Sequence, residues 1–218
     1  MPKLLRSKNT MTMRPIKKVQ KGTLQYDLHK LVKQGKLEGK LADIVKCPKE
    51  ENLNEWLAVN CFDFFNSTII LYSALSNLCR PTDCPIMNAG GQMEYHWMEN
   101  KKTIQLPARE YCERLFDWAQ QNFDDTKVFP SEFSGKPPKQ FMPTLKKIFQ
   151  RLFRVYAHMF HSHTRHLEEL ELTEQAMLGF KHFYLFCRHY SLLTPQDIMP
   201  LQDMCAAVDK EYELDVLK

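Results

Sequence analysis

Between Leu53 and Cys79, apolar residues recur at Trp56, Val59, Phe62, Phe65, Ile69, Tyr72, Ala74 and Leu75. Steps of three and four keep one side of an α-helix apolar, so this spacing predicts a long core helix. Asn52 or Asn54 is placed to cap its start. Pro107 opens a second helical stretch through Asn122, with Tyr111, Leu115, Phe116 and Trp118 facing inward, and Pro130 and the Ser134-Gly135-Lys136-Pro137-Pro138 loop end it. A third helix is predicted from Phe141 to about Leu172, with a break expected near a cluster of histidines. A fourth spans roughly Thr173 to Tyr190 through Met177, Phe180, Phe183, Tyr184 and Cys187. Glu94-Tyr95-His96-Trp97 and Thr103-Ile104-Gln105-Leu106 flank Glu99-Asn100-Lys101-Lys102, which reads as one small β-hairpin. The expected fold is mainly α, a helical bundle with short additional helices and a minor β element.

Composition narrows the setting. A chain of 218 residues with 44% hydrophobic content can bury a full core, and one domain is expected rather than two. We place it at 23–205, with a basic tail over 1–22 and a short C-terminal tail over 206–218. The net charge of +4 is concentrated in the first tail, where Lys3, Arg6, Lys8, Arg14, Lys17, Lys18 and Lys21 precede the first acidic residue, Asp27. Such a run reads as a solvated segment. Seven cysteines, an odd number, with no leading signal-like stretch, point to a reducing compartment, cytosol or nucleus. The longest apolar stretches are too short and interrupted to cross a bilayer. Neither a phosphate-cradling glycine loop, a nucleophile elbow nor a metalloprotease helix motif is found, which argues against an enzyme.

Cys79 and Cys84 lie on a turn stiffened by Pro85, and the third helix carries His158, His161, His163 and His166. Soft sulfur and imidazole ligands supplied as two distant pairs suit a closed tetrahedral zinc site, which staples structure and leaves no position for a reaction. Helical periodicity alone favours His158 with His161, because residues five apart diverge by about 140° around the axis. A zinc-dependent nucleic-acid module is the rival reading. A finger, however, sets its ligand pairs about a dozen residues apart, whereas Cys84 and His158 are more than seventy apart.

The run from Glu51 through Asn60 (ENLNEWLAVN), then Asp63-Phe64-Phe65-Asn66, strongly resembles the Mob family of kinase coactivators, Mob1-like branch. So do Cys79 through Met87, Glu94-Tyr95-His96-Trp97, Val128-Phe129-Pro130 and Arg151 through His158, in family order from about Arg14 to Leu201. The resemblance implies a Mob-type four-helix core with one structural zinc ion, no catalysis, and activation of an NDR/LATS-type kinase by binding a basic helical segment at the kinase N-terminus. It implies Cys79, Cys84, His158 and His163 as ligands, against the periodicity. The third helix must then end or distort near His161, or the two rings must reach the ion from different sides. Glu51, Glu55 and Asp63 stand where the family places acidic contacts for the kinase. Lys147, Arg151 and Arg154 form a basic stripe on a helix that in the family also receives phosphopeptides from upstream Hippo-type kinases or scaffolds. Gln150 replaces a lysine usual there, so one charge is missing. Thr12 matches a family site of regulatory phosphorylation; a second family threonine is replaced by Gly35.

Overall fold

The computed structural model describes residues 44–91 and 93–212. Thr12, Gly35 and the predicted basic tail lie outside the described residues.

Helix α1 spans Leu53–Leu75. Of the two capping candidates Asn52 serves: its Oδ1 accepts from the amides of Asn54 (2.8 Å) and Glu55 (3.4 Å). A 3-10 turn over Ser76–Leu78 then hands the chain to Cys79. Strands β1 (Trp97–Glu99) and β2 (Lys102–Ile104) pair antiparallel, Trp97 opposite Ile104. Only Asn100 and Lys101 separate them, both with positive φ (47° and 64°), the two-residue turn whose twist suits a tight hairpin. The hairpin is thus shorter than the sequence suggests, and its strands run into the segment expected to be loop. Helix α2 spans Ala108–Asp124, α3 Phe141–Ser162, α4 Thr164–Glu169 and α5 Thr173–His189. Beyond them come the short α6 (Pro195–Ile198), a 3-10 turn over Met199–Leu201, and α7 (Gln202–Glu211).

The mainly α expectation holds, and α3 is the helix around which the rest is built. Pro143 sits in its first turn, where a missing N–H costs nothing. From Arg151 to Phe160 all residues but Arg154 are buried. It packs on α1 and α2 directly, and on α5 through rings such as Phe149 against Phe183 and Phe186, centroids 5.6 Å apart. Phe64 of α1 joins the same aromatic cluster edge-on. Buried aromatic pairs of this kind add about 0.5–1.5 kcal/mol each beyond area burial.

Two sequence expectations are corrected. Val59 and Phe62, expected in the core, are exposed (58% and 41%); the buried side of α1 is instead Leu57, Cys61, Phe64, Phe65, Thr68, Ile69, Tyr72 and Leu75. The packed body also continues past 205. Val208 and Asp209 of α7 are buried; the Asp209 carboxylate accepts from Tyr184 Oη (3.1 Å), and Lys181 Nζ, fully buried on α5, meets Glu211 at 2.8 Å.

Candidate metal centre and flanking surfaces

The end of α1 and the end of α3 meet at Cys79, Cys84, His158 and His163, all buried, with one ligand atom from each lying within 4.8 Å of the others. Cys84 is placed by its own turn: its amide donates to Arg80 O (2.8 Å), and its carbonyl accepts from Ala108 N at the start of α2 (3.0 Å). The five-residue step between the histidines is solved by termination. Helix α3 stops at Ser162, and His163 takes φ −130°, ψ 15° before α4 begins, so the ring returns to the side His158 faces.

The distances test whether an ion fits. Cys79 Sγ lies 3.4 Å from His158 Nε2, and Cys84 Sγ 3.8 Å from His163 Nε2. Metal–sulfur and metal–nitrogen bonds of ordinary zinc length at a tetrahedral angle give an edge of about 3.6 Å. The donor set therefore suits one tetrahedral cation. Both rings present Nε2, and the other nitrogen is engaged in each. His158 Nδ1–H donates to Asn88 O (2.8 Å), and His163 Nδ1 lies 3.2 Å from His166 Nδ1. Such outer partners fix tautomer and ring orientation in metal sites. Cys84 is held low, to about 3, first by the hydrogen bond from Cys79 and then by the neighbouring imidazoles, while burial pushes Cys79 well up. Burial lowers His163 to about 4, leaving a neutral imidazole able to ligate. A second buried thiolate beside the first requires a cation.

His161, the ligand favoured by periodicity, faces elsewhere. Its Nε2–H donates to Pro200 O (2.6 Å), and its Nδ1 lies 3.1 Å from where a Cβ on Gly90 would stand. With φ at +71°, Gly90 tolerates no side chain there. The sequence reading missed Asn88 and His166; His166 was visible as part of the histidine cluster, whereas a backbone carbonyl leaves no sequence signal.

On α1, Val59, Phe62, Asp63, Asn66 and Ile70 share the outward face, Val59 lying three and four residues before Phe62 and Asp63, and Asn66 and Ile70 continuing the spacing from them. Asp63 is exposed, as are Val59, Phe62 and Ile70. Glu51 is also exposed, just ahead of the helix. Glu55 is different: its Oε1 accepts from Phe133 N (3.1 Å) while Asn52 Nδ2 donates to Phe133 O (3.1 Å), so this carboxylate anchors the loop after α2.

The basic stripe divides in the same way. Lys147 is exposed, its Nζ 6.0 Å from the centre of the Trp118 ring. Arg151 is only 8% exposed, its guanidinium between Trp97 (4.3 Å) and Trp118 (4.2 Å). Arg154 is half-buried; its Nη1 donates to Tyr111 Oη (3.0 Å) and its guanidinium lies over Tyr95. Gln150 Nε2, where a lysine was expected, donates to Asp197 Oδ2 (2.9 Å).

A helical body closed around a buried two-cysteine, two-histidine cluster defines a domain with a donor set fit for one metal ion. Residues 33–201 match the family model described as the Mob1/phocein family. The chain is 39% identical to the MOB kinase activator-like 1 homolog C of Dictyostelium discoideum, over 93% of this chain and 95% of that protein. It is 38% identical to the maintenance of ploidy protein mob1 of Schizosaccharomyces pombe, over 91% and 95%. Against the MOB kinase activator-like 1B of Arabidopsis thaliana the identity is 39%, over 94% and 97%. The chain belongs to the Mob1/phocein family. No helix among the described residues is long and apolar enough to cross a membrane.

Proposed function

We propose that this protein is a non-catalytic adaptor that activates an NDR/LATS-type protein kinase by binding the kinase's basic N-terminal helical segment, in a Hippo- or mitotic-exit-like control of cell division. The observation that carries the reading is the outward stripe of α1, where Val59, Phe62 and Ile70 alternate with Asp63 on an exposed face. An amphipathic helix with apolar anchors and basic flanks is its complement: apolar contacts supply affinity, and the carboxylates Glu51 and Asp63 steer association and fix register. Relatives named as kinase activators support the class of partner, and the name of the fission-yeast relative supports a link to division.

In this reading the ion at Cys79, Cys84, His158 and His163 is zinc, and it supplies a closed structural linkage and no reactive position. The four side chains tie the exit of α1 to the exit of α3, so the acidic stripe keeps a fixed relation to the surface carrying Lys147, Arg151 and Arg154. That second surface takes a phosphorylated peptide from an upstream kinase or scaffold, with Arg154 presenting the accessible fork and Arg151 holding the two tryptophans that shape the wall. Cytosol or nucleus is the compartment that goes with this role. The test is affinity purification from the native cell followed by kinase assay: an NDR/LATS-type kinase copurifies and is stimulated by the pure protein. Copurification of nucleic acid without a kinase would overturn the reading.

A further inference from the structure

A cavity of about 460 Å³ opens where the segment before β1 meets α3 and α6, lined among others by Glu94, Tyr95, His96, Gln150, Arg154 and Asp197. Its one arginine is fixed by Tyr111 and by the face of Tyr95. Two carboxylates face the same space. Asp197 Oδ2 accepts from Thr194 N (2.9 Å), Thr194 Oγ1 (2.7 Å) and Gln150 Nε2 (2.9 Å), while Oδ1 accepts no hydrogen bond among the described residues. Glu94 Oε2 accepts from Gln105 Nε2 (2.9 Å) and lies 3.3 Å from His96 Nε2. The hydroxyl of Tyr95, a residue 8% exposed, has no hydrogen-bond partner and lies in the field of Arg154, Tyr111 and Asp197. A buried orphan hydroxyl in a cavity wall marks a polar contact to be made.

This is an odd setting for phosphate alone. A dianion placed on Arg154 faces two carboxylates, and Gln150, which stands where another cation would have helped, spends its amide on one of them. Like charges brought together disfavour a ligand as strongly as opposite charges favour one. The conflict vanishes when the ligand carries its own cation. We propose that this cavity selects a bipolar peptide: a phosphorylated serine or threonine held by Arg154 and the Tyr95 hydroxyl, beside a lysine or arginine that reaches Asp197 Oδ1 and Glu94. The proposal rests on the phosphopeptide reading above and adds the charge of the neighbouring residue as the specificity element.

Fluorescence anisotropy of short synthetic peptides tests it on the full chain: phosphothreonine flanked by arginines, phosphothreonine flanked by alanines, and the unphosphorylated form of each. The arginine-flanked phosphopeptide binds about tenfold more tightly than the alanine-flanked one, a difference of about 1.4 kcal/mol, and both unphosphorylated peptides bind more weakly than their phosphorylated forms. Glu94→Gln, at an exposed position, narrows the arginine preference by about threefold while leaving the melting temperature unchanged. Equal binding of the two phosphopeptides, above the unphosphorylated ones, overturns the bipolar proposal and leaves the phosphopeptide reading standing. Binding that ignores phosphorylation, or no binding by any peptide, overturns both.

Discussion

The metal cluster and the outer face of α1 begin from the same helix and are built on opposite terms. At the cluster, all four ligand side chains are buried, and the histidines are braced from behind by Asn88 and His166. On the outer face, Val59, Phe62, Asp63 and Ile70 stand in solvent. A site that is closed and braced holds the protein together. A site left open and partly apolar is finished by something else. The contrast makes the first region intolerant of change and the second tolerant in stability but not in binding.

Removing the ion probes that contrast most strongly. Cys84→Ser is expected to lose stoichiometric metal and to destabilise the fold by about 4 kcal/mol or more, as loss of a structural metal does, read by elemental analysis and thermal unfolding. His161→Ala keeps one metal per chain. Ending the chain after residue 205 strips Val208, Asp209 and Glu211 from α5 and leaves Lys181 without its Glu211 partner. Glu211 is itself exposed, so the loss comes mainly from unburied Val208 and the hydrogen bonds of Tyr184 to Asp209, about 3 kcal/mol, visible as a lower denaturant midpoint. His166→Ala leaves the ligands in place and loosens His163, so affinity against a competing chelator falls about 10- to 100-fold. Smallest is the pair that separates anchored from free acid: Glu55→Ala loses the bond to Phe133 N, about 1 kcal/mol, whereas Asp63→Ala stays within about 0.5 kcal/mol.

The same contrast explains what the sequence made legible. Helices α2 and α5 were readable because their apolar residues keep to one side; α1 is apolar almost all round, so three-to-four spacing was found on both its buried and its exposed faces, and Val59 and Phe62 were assigned to the wrong one. The ligand set illustrates the limit of periodicity. An ideal helix puts His161 with His158, but the actual helix ends at Ser162, and only the family's motif order carried that information. Arg151 looked like a surface cation because arginine in a polar context usually is; its burial depends on Trp97 and Trp118, which arrive from a hairpin and from another helix. The boundary at 205 failed for a similar reason, since the partners that hold α7 are Lys181, Tyr184 and Arg188 on α5, and isolated charges in a short amphipathic segment read as a tail.

The central claim is that the outer stripe of α1 is the docking face for a basic kinase segment. Its most direct test is the affinity of the purified N-terminal segment of an NDR/LATS-type kinase for the wild-type protein and for Val59→Asp and Asp63→Lys, with melting temperatures measured alongside. The account predicts at least about a tenfold loss of affinity for each variant with unchanged melting temperature and metal content. Wild-type affinity in both variants would contradict it.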